Sequence, residues 1–219
     1  MILETSKVSL YYEKSGEGSP IILLHGNGEE HGIFDEAAAI LSQHFTVYAV
    51  DSRGHGKSSP VSEFHYADMA EDICEFIEKL QLEKPIVYGF SDGGIIAILL
   101  AIKHQHLLSQ IVVSGVNTKP TGVKWHWYVL FKLMYIFNKS PLFKLMVTEP
   151  HITKEELSAI KIPVHITAGR KDMISISHMQ KIADAIPGST FRIFEGEDHG
   201  SYITHSDKIA KYIVEMVRS

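Results

Sequence analysis

The sequence predicts an α/β domain built on a mainly parallel sheet, and three features carry that reading. Strand-like and helix-like segments alternate along almost the whole chain, as strand–helix–strand crossovers require. The strand-like segments after the first are short and nearly all apolar, the composition of strands covered on both faces. Several of them run straight into glycine-containing loops, and it is at the carboxyl ends of such strands that open parallel sheets bind ligands. With 219 residues, 45% hydrophobic and 21% charged, the chain 1–219 has the size of a single domain with a sizeable core.

Taken in order, VSLYYE (8–13) alternates and leads into the turn-rich SGEGSP. PIILLHG (20–26) and FTVYAVD (45–51) read as buried strands, with the helix-like FDEAAAILSQHF between them. HYADMAEDICEFIEKLQL (65–82) sets Met69, Ile73, Phe76, Ile77 and Leu80 on one helical stripe and acidic residues opposite. PIVYGF (85–90) is the next strand, SDGGIIAILLAIKHQ the next helix, and QIVVSGV (110–116) another strand. The pattern resumes with a strand PVHITAG (163–169), a helix near 176–186, a strand FRIFEG (191–196) and a closing helix near 203–217.

The interruption at about 117–160 is too long for an ordinary connection and is helical in character, so it is read as an inserted lid. In WHWYVLFKLMYIFNKSPLFKLM apolar residues go most of the way round a helix, broken by Lys132, Lys139 and Lys144. Such a helix calls for cover on more than one side. A lid over an apolar pocket, partial contact with a membrane surface, or plain packing on the core would each supply it. The expected pocket residues are Trp125, Trp127, Phe131 and Met134.

The segment GFSDGG (89–94) sits between a strand and a helix. A tight strand-to-helix turn tolerates only small residues two before and two after its central residue, and Gly89 and Gly93 hold those positions around Ser91, giving G-x-S-x-G. Ser91 also stands at a helix N-terminus, where free N–H groups favour a developing oxyanion. A glycine turn that merely tightens packing is the plain alternative. A serine hydroxyl needs a base, and the base needs an orienting acid. His199, in the loop after the strand at 191–196, and Asp172, in the loop after 163–169, fall at the same sheet edge as Ser91. The chain order Ser91, Asp172, His199 is that of one convergent form of the triad. Asn27, after His-Gly in HGNG, and Asp92, after the serine, are the candidate oxyanion-hole amides, with simple turn geometry as the alternative. Only the amide of Asp92 is implicated, its carboxylate being expected to point away.

Other residues receive quieter assignments. Arg53 and His55 in DSRGHGKSS (51–59) are read as structural hydrogen-bonders, and GHGKS lacks the first glycine of a phosphate-binding loop. His25 is read as structural, Asp198 as pointing away from His199, and Asp51 as part of its loop. His104 and His106 are read as solvated rather than metal-binding.

HGNG, DSRGHGKS, GFSDGG, AGRKDMI and EDHGSY, in that order, resemble the α/β-hydrolase fold family over almost all the chain outside 117–160. The resemblance implies eight strands, mostly parallel with a first antiparallel strand, flanked by helices, and a triad of Ser91, Asp172 and His199. It implies no metal and no organic cofactor. It further implies that His199 deprotonates Ser91 during attack on an acyl carbon, that Asp172 fixes the imidazole, and that water releases the acyl-enzyme. Serine at position 91 argues against dehalogenase and epoxide-hydrolase chemistry, whose nucleophile is aspartate. A carboxylic ester with an apolar group, cleaved by a carboxylesterase-like enzyme, is the favoured small-molecule substrate. Thioesters, lactones, peracid formation and carbon–carbon cleavage would use the same groups, and a non-catalytic receptor on the same fold is the alternative of another class.

Composition excludes other partners. A net charge of −5, a pI near 6.2 and scattered Lys and Arg give no nucleic-acid signature. Cys74 is the single cysteine, the N-terminal stretch lacks the pattern of a secretion signal, and no apolar run is long enough to span a bilayer, so a cytoplasmic protein without stable membrane insertion is expected. The oligomeric state is left open.

Overall fold

The computed structural model describes residues 1–218. In chain order its elements are β1 (Ile2–Glu4), β2 (Ser9–Ser15), β3 (Pro20–Leu24), α1 (Asp35–Leu41), β4 (Thr46–Val50), α2 (Tyr66–Lys79), β5 (Ile86–Phe90), α3 (Asp92–His104) and β6 (Gln110–Ser114). They continue with α4 (Trp125–Asn138), α5 (Pro141–Thr148), α6 (Lys154–Ser158), β7 (Val164–Gly169), α7 (Ile176–Ala185), β8 (Thr190–Phe194) and α8 (Lys208–Arg218).

The eight strands form one sheet in the order β1-β2-β4-β3-β5-β6-β7-β8. β2 pairs antiparallel with both β1 and β4, and every later pair is parallel. The strand read at 8–13 is therefore the one that runs against the rest. The edge strand ahead of it, β1, is only three residues long and has too few positions to show a period.

The central strands are buried on both faces because each sends alternate side chains into two apolar layers. Ile22 and Leu24 of β3, Tyr48 and Val50 of β4 and Val87 of β5 join one layer, where Ile73, Phe76 and Ile77 of α2 and Ile95, Ile98 and Leu100 of α3 cover them. Ile21, Leu23, Val47, Ala49, Ile86 and Tyr88 face the other, covered by Ala37 and Leu41 of α1 and Ile209 and Ile213 of α8. Each fully buried Ile or Leu of this kind is worth about 1.5–3 kcal/mol relative to exposure. The two layers together fix the strand register, and with it the place of every loop at the carboxyl edge.

The helical stretch between β6 and β7 differs from the single long helix that its apolar run invited. Lys139 caps α4 in the left-handed conformation at φ 54°, and Pro141 opens α5 at its first turn. Proline suits a first turn because its missing N–H would have no partner there, and it cannot continue the preceding helix.

Candidate active site

The turn after β5 places Ser91 first. Its backbone lies at φ 52°, ψ −114°, which a non-glycine residue holds only when its surroundings compel it. They do so from both sides. The Ser91 N–H donates to the Ser114 carbonyl on β6 at 2.8 Å, and the N–H groups of Gly94 and Ile95 bond back to the Ser91 carbonyl as α3 begins. A Cβ at Gly89 would lie 2.2 Å from the Gly93 carbonyl oxygen, and one at Gly93 would lie 2.1 Å from that of Leu24. The turn is thus folded so tightly onto itself and onto β3 that no side chain fits at either position.

His199 and Asp172 meet Ser91 from the ends of β8 and β7. His199 Nε2 lies 3.1 Å from Ser91 Oγ, and Nδ1 lies 2.7 Å from Asp172 Oδ1. Because an ionised carboxylate only accepts, the Nδ1 position carries the ring proton, Nε2 is left as an acceptor, and the serine hydroxyl donates to it. Asp172 is fully buried, and its Oδ1 also accepts the Ile174 N–H at 2.8 Å. Its Oδ2 is buried without a hydrogen-bond partner among the described residues, so the carboxylate has little but the imidazole on which to spread its charge. The loop carrying His199 reaches over β7 because residue 169 is glycine, where a Cβ would sit 2.0 Å from the Asp198 carbonyl oxygen. The Asp198 side chain turns away, accepting from Gly200 and Ser201 N–H.

Facing Ser91 is the loop after β3. Gly26 N–H donates to Glu29 Oε2 at 2.9 Å and Gly28 N–H to His55 Nε2 at 3.1 Å, whereas the N–H groups of Asn27 and Asp92 have no acceptor among the described residues. The Asp92 carboxylate bonds two neighbouring side chains rather than any member of the serine–histidine line. It is buried, accepts from Asn27 Nδ2 at 2.8 Å and from the Tyr66 hydroxyl at 2.7 Å, and so ties one free amide's residue to the other. Burial raises its pKa, and the two donors oppose that rise.

The supporting loop after β4 behaves as read from the sequence. His55 bonds the Gly28 amide and the Arg53 carbonyl, while Arg53 forms a buried two-pronged pair with Asp72 at 2.6 and 2.7 Å. His25 accepts the Ser52 N–H at Nε2 and donates from Nδ1 to the Gly26 carbonyl, and burial lowers its pKa to about 4. Asp51 holds the His31 and Lys57 amides.

A cleft of about 400 Å³ opens above Ser91 and His199, walled by Phe90, Phe131, Leu142, Phe143, Met146 and Met173. Of the four anticipated pocket residues Phe131 lines it. Trp125, Trp127 and Met134 lie exposed on α4, since that helix buries only Phe131 and a run that is apolar all round gives no phase from which to choose the inward face. Glu29, missed in the sequence although it directly follows HGNG, is the carboxylate in the cleft wall, and burial raises its pKa. A Cβ at Gly26 would lie 2.6 Å from Glu29 Oε2 and 3.2 Å from Ser91 Cβ, which puts the carboxylate within about 6 Å of the serine. A larger cleft of about 510 Å³, between Lys119, Lys154, His178 and Lys181, contains none of these groups.

His104 is less isolated than its sequence neighbours implied. It pairs with Glu71 at 3.0 Å, and Cys74 lies close enough for the three side chains to share an ion. Burial pushes the Cys74 thiol up to about 11, so it is protonated at neutral pH.

A serine at a strand-to-helix elbow, backed by an imidazole and a buried carboxylate at the carboxyl edge of a mostly parallel sheet, defines a class of α/β enzyme by geometry. The comparisons agree. Residues 19–126 match the model of the alpha/beta hydrolase fold. A pimeloyl-[acyl-carrier protein] methyl ester esterase of Aliivibrio fischeri (strain MJ11) is 32% identical, with 91% of this chain and 94% of that protein covered. The AB hydrolase superfamily protein YisY of Bacillus subtilis (strain 168) is 29% identical across 97% of this chain and 96% of its own length. Among solved structures, the enol-lactonase from Burkholderia xenovorans LB400 superposes with a TM-score of 0.83 at 17% identity, covering all of both chains. The chain belongs to the alpha/beta hydrolase fold family.

Proposed function

We propose that the protein is a serine hydrolase that cleaves carboxylic esters through an acyl-enzyme on Ser91. The observation that carries this reading is the continuous line from Asp172 through His199 to Ser91 Oγ, with Nε2 left as the acceptor for the serine proton. In the first step Nε2 takes that proton as Oγ bonds to the acyl carbon. The carbonyl oxygen becomes an oxyanion within reach of the Asn27 and Asp92 amides, donors that are most valuable where charge develops in the transition state. His199 then passes the proton to the departing alcohol. Water, deprotonated by the same imidazole, releases the acid and restores Ser91. Asp172 holds the Nδ1 tautomer and offsets the charge of the imidazolium.

An apolar acyl or alcohol group suits the cleft, because aromatic, leucine and methionine side chains form most of its wall. The Aliivibrio relative, named for a methyl ester, supports ester cleavage in particular. The segment 117–160 serves as a lid in this reading, with Phe131 of α4 and Leu142, Phe143 and Met146 of α5 turned to the cleft. Hydrolysis of p-nitrophenyl esters of increasing acyl length by wild type and Ser91→Ala tests the proposal. Turnover that disappears in the variant supports it, and wild-type turnover no faster than buffer at every length removes it.

A further inference from the structure

Eleven large hydrophobic side chains stand exposed among the described residues, and eight of them belong to α4, so the exposed apolar surface is concentrated on one helix. They are Trp125, Trp127, Val129, Leu130, Leu133, Met134, Ile136 and Phe137, the last 83% exposed. Soluble surfaces scatter such residues singly, and a contiguous group marks a binding surface. The charge around it is equally one-sided. Residues 119–148 contain five lysines and no acidic residue, in a chain whose net charge is −5. Lys132 and Lys139 lie over the rings of Tyr128 and Tyr135. Tryptophan and tyrosine with lysine beside them are the composition that settles at the boundary between lipid headgroups and acyl chains.

We propose that α4 is an interfacial helix that seats this protein on an anionic lipid surface, with the cleft opening toward that surface. Phe131 is the one fully buried residue of the helix, and exposed apolar side chains on its several sides suit a fluid boundary better than a fixed protein groove. A second copy docking through the same face would set its lysines against these lysines. Phe131 packs near Phe143 of α5, and both line the cleft, so the embedded helix would carry the cleft mouth to the lipid boundary. The substrate is then an ester with a long apolar chain drawn from that surface, a part of the proposal that rests on the hydrolase reading of Ser91.

The chain's two tryptophans are both in α4, so their fluorescence reports this helix alone. Vesicles of phosphatidylcholine, with and without phosphatidylglycerol, are mixed with the full chain, and flotation and tryptophan emission are recorded. The expected result is a blue shift and co-flotation with the anionic vesicles, weakened by salt. Ile136→Gln with Phe137→Gln lowers the partition at least about tenfold, by the area these side chains would bury. Lys132→Gln with Lys139→Gln lowers it about 30-fold on anionic vesicles, with little change on neutral ones. Absence of both signals with anionic vesicles overturns the proposal. So does equal partition onto pure phosphatidylcholine, or a dimer in lipid-free buffer that the Ile136 and Phe137 changes dissolve and that ignores vesicles. Turnover of a short soluble ester in lipid-free buffer reads the hydrolase proposal separately. A chain that floats without hydrolysing keeps the docking and loses the substrate, and one that hydrolyses without floating loses both while the hydrolase reading of Ser91 stands.

Discussion

Asn27→Ala separates what a side chain does from what its own backbone does. The substitution keeps the residue 27 amide but removes the Nδ2 donor that meets Asp92 Oδ2 at 2.8 Å. Asp92 is buried, its pKa is raised by that burial, and only Tyr66 would remain to bond its carboxylate. Loss of one charge-assisted bond, leaving an unpaired buried oxygen, costs about 1.5–3 kcal/mol of stability. The catalytic effect has an upper bound, because deleting an oxyanion donor outright costs about 10²–10³ in kcat. Here the donor is kept and only its placement loosens, and a shift of about 1 Å is worth about 10². The expected outcome is a drop in kcat of about 10- to 100-fold with KM nearly unchanged, because the misplaced amide is needed mainly once negative charge develops. Steady-state hydrolysis of p-nitrophenyl butyrate measures the catalytic effect and urea unfolding the loss of stability. An Asn27→Ala variant that matches wild type in both would refute the claim that Asp92 anchors the loop.

Further outcomes follow from the same geometry. Gly93→Ala forces a Cβ to 2.1 Å from the Leu24 carbonyl oxygen and should destabilise the fold by about 3 kcal/mol, read as a lower urea midpoint. His25 is held neutral in the folded state with a pKa near 4 against 6.5 for the free side chain, so the unfolded chain takes up its proton first. Stability is therefore full above pH 6.5 and declines as pH falls toward 4, by about 3 kcal/mol from this residue, a slope that His25→Gln removes from urea titrations run at several pH values. Glu29→Gln deletes a carboxylate within about 6 Å of Ser91, and after solvent screening its repulsion of an anionic ester is worth about 1 kcal/mol. That variant should raise kcat/KM for a hemisuccinate-type ester roughly fivefold relative to a neutral one of equal length.

Much of the site was legible because its signals are local. Ser91 sits in a turn whose two glycines are dictated by contacts that any tight strand-to-helix elbow creates, and Asp172 and His199 each follow directly on a strand. The sheet made those three meet without further information. What escaped reading depends on partners distant in sequence or on the absence of a pattern. The Asp92 carboxylate meets Asn27, 65 residues away, and Tyr66, 26 away, and nothing beside it announces either. His104 was judged by its neighbours in sequence, whereas its partners Glu71 and Cys74 come from the adjoining helix α2. β1 is too short to carry a period. α4 shows the opposite difficulty, since apolar residues on all sides hide the one that points inward, and Phe131 was chosen alongside three that point out. The break between α4 and α5 falls at Pro141, inside an apolar run long enough to read as one helix.

The central claim is that Ser91 is the nucleophile, and covalent labelling tests it without knowledge of the natural substrate. The protein is treated with a fluorophosphonate, the intact mass is measured, and the modified peptide is mapped, with Ser91→Ala and His199→Ala alongside. The account predicts one adduct per chain, located on Ser91, absent from Ser91→Ala and strongly slowed in His199→Ala. An unmodified wild-type protein, or an adduct on any other residue, would contradict it.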